Sequence, residues 1–210
     1  PAPENILGRV AFFKDYSDAI EFVRHVKSIC DIFSNEHYKL IDKSCARLIE
    51  LYDENSLKMM KLKYPQIPDN AIAAVWFEQE YVSKFEDSIL ESWMSILNAY
   101  TPLASETILA TSEKEHRDLR EFRHSLPEQV NERIARAGQR KLGTDTAVPE
   151  SNLKRFASGL KTILDNSGID HIIFGHIGNN HLHANLFTDG EKDFAKAKEI
   201  YDRIIDFTLE

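Results

Sequence analysis

From residue 6 to 13 the chain reads ILGRVAFF, an apolar run of strand length. The pattern then changes period. Ile20, Phe22, Val23, Val26, Ile29 and Cys30 recur along one helical face behind Ser17, a candidate N-cap. YKLID (38–42) has the make-up of a short strand, and KSCARLIELYDEN (43–55) reads as a helix. LKMMKLKYPQIPDN (57–70), with two prolines, reads as a connection. AIAAVWFEQEY (71–81) predicts a strand, VSKFEDSILESWMSILNAYT (82–101) an amphipathic helix, and ETILATS (106–112) another strand. EKEHRDLREFRH (113–124) is helical by charge spacing. SLPEQVNERIARAG (125–138) then restarts a helix, with Ser125 and Glu128 as a capping box, Pro127 in the first turn and Gly138 near the end. TAVP (146–149) is a brief strand and ESNLKRFASGLKTILDNSG (150–168) a helix. IDHIIFGHI (169–177) and HLHANLF (181–187) are strands, and KDFAKAKEIYDRIIDFTLE (192–210) is the last helix. This irregular alternation predicts an α+β fold, a largely antiparallel sheet covered by helices.

Composition narrows the function. A hydrophobic content of 42% suits a folded core. With 34 acids against 26 bases and no basic block, nucleic acid is not an expected partner. No apolar run approaches the roughly 20 residues of a membrane helix. Cys30 and Cys45 have no metal-type spacing and are expected as two thiols of a reducing cytosol rather than a disulfide. Phosphate loops of the GxGxxG and GxxxxGK[ST] kinds are absent. Pro1 at the start, and a last helix that runs to Glu210 without a capping signal, suggest a single domain, 1–210, excised from a longer protein.

The chemistry concentrates in FGHIGNNHLHANLF (174–187), which holds three of the eight histidines. Alternation along a strand puts Leu182, Ala184 and Leu186 on one face and His181, His183, Asn185 and Phe187 on the other. Ile172, Phe174 and His176 share a face on the preceding strand, and His171 takes the opposite one. A four-residue loop, Gly178 to His181, would pair His176 with His183, with Cβ atoms about 5 Å apart. Two neutral imidazoles there can grip one divalent cation, with a further position left for a carboxylate or water. Read from the residues alone, a metal pair and a hydrogen-bonded polar strand both remain open.

GHIGNNHLHAN resembles the GH-x-GDGN-x-H-x-N motif of FAD-linked oxidases and dehydrogenases of the vanillyl-alcohol oxidase type, among them D-lactate dehydrogenase, the glycolate oxidase large subunit and D-2-hydroxyglutarate dehydrogenase. His176 and His183 keep the motif's spacing and Asn185 its final Asn, whereas Asn179, Asn180 and His181 stand where the motif has Asp, Gly and Asn. LREFRHSLPEQVNERI resembles a second stretch of the family, with Arg123 at the position of a substrate-carboxylate arginine and His124 where Glu is frequent. KLGTDTAVPESNL resembles a third, which offers Lys141 as a substrate lysine.

The resemblance implies a ferredoxin-like cap domain that shapes the substrate site over a flavin. It implies oxidation of a D-2-hydroxy acid to the 2-oxo acid, with FAD as hydride acceptor. Arg123, Asn185 and Lys141 would bind substrate, and His176 and His183 would bind a divalent metal, Zn or Mn. The chain's own FAD-binding domain and an electron acceptor are the implied partners. The location would be cytoplasmic, or peripheral at the inner face of a membrane. The family's third metal ligand and its base come from a Glu-His pair that lies beyond Glu210. Two other readings compete: a metal-dependent hydrolase on His176 and His183 with Asp189 or Glu191 as the carboxylate, and a non-catalytic α+β interaction domain.

Overall fold

The computed structural model describes residues 5–33 and 44–210. Its first strand, β1 (Asn5–Phe13), leads into α1 (Tyr16–Phe33), where the Asp15 carboxylate accepts from the Ser17 amide at 2.6 Å. The expected strand at 38–42 lies outside the described residues. Then come β2 (Leu48–Asp53), α2 (Glu54–Met60), β3 (Ala73–Tyr81), α3 (Glu86–Tyr100), β4 (Ile108–Ala110) and α4 (Glu113–Ala137). The chain ends through β5 (Arg140–Ala147), α5 (Leu153–Asp165), β6 (Asp170–Gly175), β7 (His181–Thr188) and α6 (Gly190–Leu209).

Two differences from the sequence reading bear on the site. Residues 48–53 lie in a strand rather than a helix. They pair with β3 on one side and β6 on the other, and burial on both faces makes such a strand read as a plain apolar run. Residues 113–137 form one helix rather than two. Its N-terminus is capped by a box of Ser112 and Glu115, and Ser125 instead bonds the Phe122 carbonyl at 2.8 Å. Leu119, Phe122, Leu126 and Val130 form one buried stripe that holds the helix together across Pro127. Pro127 has no N–H to give, so the carbonyl of Arg123 loses its usual helical donor.

All seven strands pair antiparallel, in the order β4-β1-β3-β2-β6-β7-β5. The path β1-α1-β2-β3-α3-β4 gives the ferredoxin-like order 4-1-3-2. The path β5-α5-β6-β7-α6 repeats it up to its last helix. The two units meet at β2 and β6, joined by the pairs Leu51–Gly175 and Tyr52–Phe174. The fold is therefore an α+β antiparallel sheet with helices over both faces.

One core packs α1, α3, α5 and α6 against Leu7, Leu51, Val75, Ile173, Leu182 and Ala184. The other packs α2 and α4 against Phe12, Tyr52, Trp76, Ile172 and Phe187. Period-two alternation sorts the strands other than β5 between them, and burying one such Leu, Ile or Phe side chain is worth about 1.5–3 kcal/mol. Trp93 is fully buried and donates its Nε1 hydrogen to Gln79 Oε1 at 2.6 Å, so its polar tip costs little. Cys30 and Cys45 form a disulfide, contrary to the expectation of two thiols, because α1 returns the first cysteine to within 5.1 Å of the second, Cα to Cα.

A candidate active site at the seam of the sheet

The second face of the sheet is not fully covered. Where α4 leaves off, the strands β2, β6, β7 and β5 present Glu50, His176, His183, His181 and Asp145. The β6–β7 connection builds this corner. Ile177–Asn179 forms a single 3-10 turn and Asn180 takes a left-handed conformation at φ 57°. The amides of Asn179 and His181 both donate to the His176 carbonyl, at 2.9 and 3.3 Å. The turn, Ile177 to Asn180, is four residues long like the expected loop but sits one position earlier in the chain. Phe174, not His176, stands opposite His183 in the ladder. A shift of two residues preserves strand parity, so the His176 and His183 rings still meet, with centroids 5.4 Å apart.

Gly175 makes the meeting possible. Its φ is 137°, and a Cβ placed there would lie 2.8 Å from His183 Cδ2. The third imidazole, His181, sits 4.6 Å from His183 and 5.7 Å from His176 by ring centroids.

Two carboxylates organise the three rings. Glu50, only 4% exposed, accepts from Arg123 Nε and Nη2 at 3.0 and 2.6 Å, all on Oε1. His176 Nδ1 reaches the same carboxylate, 2.7 Å from Oε1 and 2.9 Å from Oε2. Glu50 lies one register step beyond the Leu51–Gly175 pair, which sets it opposite His176. The Arg123 guanidinium also lies over the Trp76 ring, 5.4 Å from its centroid. Asp145, on β5 opposite His183, contacts His181 Nε2 and lies 3.1 Å from His183 Nδ1. Its bond to His181 holds its carboxyl below the usual range, while burial, and then His181, push the His183 imidazole down.

Beside Glu50 and His176 opens a cleft of ≈ 260 Å³, lined also by Lys27, Arg47, Leu48 and Asn179. A larger groove between α2 and α4 does not reach His176, His181 or His183.

Of the residues singled out from the sequence, Arg123, His176 and His183 come together here. Asn185 is buried on the same face of β7, two residues from His183 and opposite Gly143. Lys141 is exposed opposite Phe187, four residues from Asp145 along β5, about 13 Å at 3.3 Å per residue. His124 is exposed on α4, and His171 is buried on the opposite face of the sheet. Asp189 and Glu191 stand at the far end of β7, where they meet Gln139 and Arg140 at 3.1 and 3.0 Å. Glu50, Asp145 and His181 were not singled out. The signal for Glu50 was an acid isolated inside the apolar run LIELY.

The antiparallel α+β layer thus carries a histidine-lined corner held by Glu50, Arg123 and Asp145. The family described as FAD linked oxidases, C-terminal domain, matches residues 2–210, and the chain belongs to that family. The solved structures bear out the fold. Alkyldihydroxyacetonephosphate synthase superposes at TM-score 0.57 with 16% identity, over 98% of this chain and 40% of that one. p-Cresol methylhydroxylase with substrate bound gives 0.59 at 12%, over 99% and 44%. The 4-ethylphenol oxidase of Gulosibacter chungangensis in its isoeugenol complex gives 0.61 at 12%, over 98% and 44%. The chain thus spans about two fifths of the length of these structures. No curated protein sequence matches it. No helix among the described residues is long and apolar enough to cross a membrane.

Proposed function

We propose that residues 1–210 form the substrate-binding cap of an FAD-linked dehydrogenase that oxidises a D-2-hydroxy acid of the lactate, glycolate or 2-hydroxyglutarate class. The observation that carries this reading is the convergence of Arg123 and His176 on the buried Glu50 carboxylate, with the His183 ring packed beside His176. Glu50 engages the Nε and Nη2 edge of Arg123, which leaves Nη1 for a substrate carboxylate oxygen. The end-on edge, Nη1 with the second Nη2 hydrogen, can still take a carboxylate as a bidentate pair. Glu50 fixes the His176 ring through Nδ1, so Nε2 carries the lone pair. Asn185 supplies an amide from the neighbouring strand position.

The donor set fits a divalent cation such as Zn or Mn. His176 keeps a free Nε2, and His183 is held toward its neutral form by burial. Bound there, the metal would supply Lewis acidity at the substrate hydroxyl. FAD, held by an adjoining domain, would supply the two-electron acceptor; these residues include no phosphate loop to cradle it. The Cys30–Cys45 bond removes the thiol argument for a reducing cytosol, so a cytoplasmic or membrane-peripheral location rests on the family resemblance alone.

The intact protein tests the reading. D-2-hydroxy acids should bleach the flavin, L-isomers and 4-alkylphenols should not, and Arg123→Lys should raise KM for the acid about 10–100-fold. Bleaching by 4-alkylphenols alone would refute the substrate class.

A further inference from the structure

The acid that faces the histidines from β5 opens a possibility that the His176–His183 pair does not use. Asp145 and His183 are direct ladder partners, and His181 stands two residues along β7 on the same face. One ligand atom from each of the three lies within 4.8 Å of the others. Asp145 Oδ1 is 3.1 Å from His183 Nδ1 and in hydrogen-bond contact with His181 Nε2. A tetrahedral zinc ion with bonds of about 2.0 Å needs ligand atoms about 3.3 Å apart. The gap to His183 already approaches that spacing, and the carboxylate must move outward from His181 to admit the ion. The Asp145 side chain is 75% exposed and free to do so, while the β5–β7 ladder fixes both histidine backbones.

We propose that Asp145, His181 and His183 form a binding site for a divalent cation of the zinc class, complete within residues 1–210. The site takes a carboxylate and two imidazoles from one β-ribbon, with the His176 ring beside it, 5.4 Å from His183 and 5.7 Å from His181 by centroids. His181 is the distinctive member, since the motif this stretch resembles has Asn there. His183 is shared with the His176 pair, so one ion occupies either arrangement. The proposal does not depend on the hydroxy-acid reading.

Zinc titration of the metal-stripped intact protein, read by competition with a chromophoric chelator, tests it. The wild type should bind one equivalent. Asp145→Asn and His181→Asn should each weaken binding at least about tenfold, and His124→Gln, exposed on α4, should leave it within about threefold. Both weakening variants alter partly exposed side chains, and circular dichroism of the metal-free proteins checks that they fold. Absence of zinc binding, or a larger loss in His176→Gln than in His181→Asn, would overturn the site. Zinc results as expected with a failed hydroxy-acid panel would leave the site standing and remove only the proposed substrate.

Discussion

His176 Nδ1 lies 2.7 Å from Glu50 Oε1, although 126 residues separate the two in the chain. The same oxygen accepts from Arg123 at 2.6 Å. One buried carboxylate thus sets the orientation of two groups that the proposed chemistry needs. Glu50→Gln should disorder both. The amide keeps one acceptor oxygen, loses the charge that holds the guanidinium and turns an NH2 donor toward its neighbours, and the variant should lose about 1–3 kcal/mol of stability by urea unfolding. It should also lose turnover on whichever substrate the wild type accepts. Unchanged stability and turnover would show that Glu50 organises nothing.

Gly175 is the second pivot. Gly175→Ala combines a φ of 137° with a methyl group 2.8 Å from the His183 ring. The backbone term alone is about 1–3 kcal/mol. Gly190→Ala is the control, because its φ is 76° and nothing lies within 4 Å. Both should destabilise in calorimetry, but only Gly175→Ala should shift the His183 ring resonances.

Asp53 gives a pH dependence with a definite sign. Its carboxylate accepts from Ser56 N and Oγ at 2.9 and 2.6 Å, its Oδ2 has no hydrogen-bond partner, and burial pushes its pKa above 3.8. The folded state therefore keeps a proton that the unfolded state releases at about 3.9. This contribution to stability is greatest below that value and is lost as pH rises through the folded pKa. Asp53→Asn, which can still cap α2, should gain on the wild type as pH rises above about 4. Parallel denaturation curves from pH 4 to 8 test this, and a constant difference between the two proteins would contradict it.

Reduction of Cys30–Cys45 opens a covalent loop with a sequence separation of 15. The loop-entropy account gives about 3 kcal/mol for this size. Thermal unfolding with and without a dithiol reductant should show the loss, and Cys45→Ser should show none on adding reductant.

Much of the fold was legible because β7 alternates with a period of two. Leu182, Ala184 and Leu186 fall in one core, and His181 and His183 on the open face. The register was less legible. The choice between Phe174 and His176 opposite His183 depends on whether Ile177–Asn179 tightens into a turn, and GNN fits either outcome. Glu50 was hidden by a strand buried on both faces, whose apolar spacing also suits a helix. At α4 the local cap signals of Ser125 and Glu128 lost to a buried stripe running past them. Asp145 could not be placed without the ladder, since it meets the histidines only through strand pairing.

Within the sheet, the two ferredoxin-like units are joined by just two ladder pairs of β2 and β6. That join is the narrow waist of the sheet, and Glu50 and His176 sit at its open end. Breathing of the waist would separate acid from imidazole without melting either half. Amides at 50–52 and 174–176 would then exchange with solvent by a local route cheaper than global unfolding. The shortest ladder of the sheet thus lies beside its most chemically equipped corner.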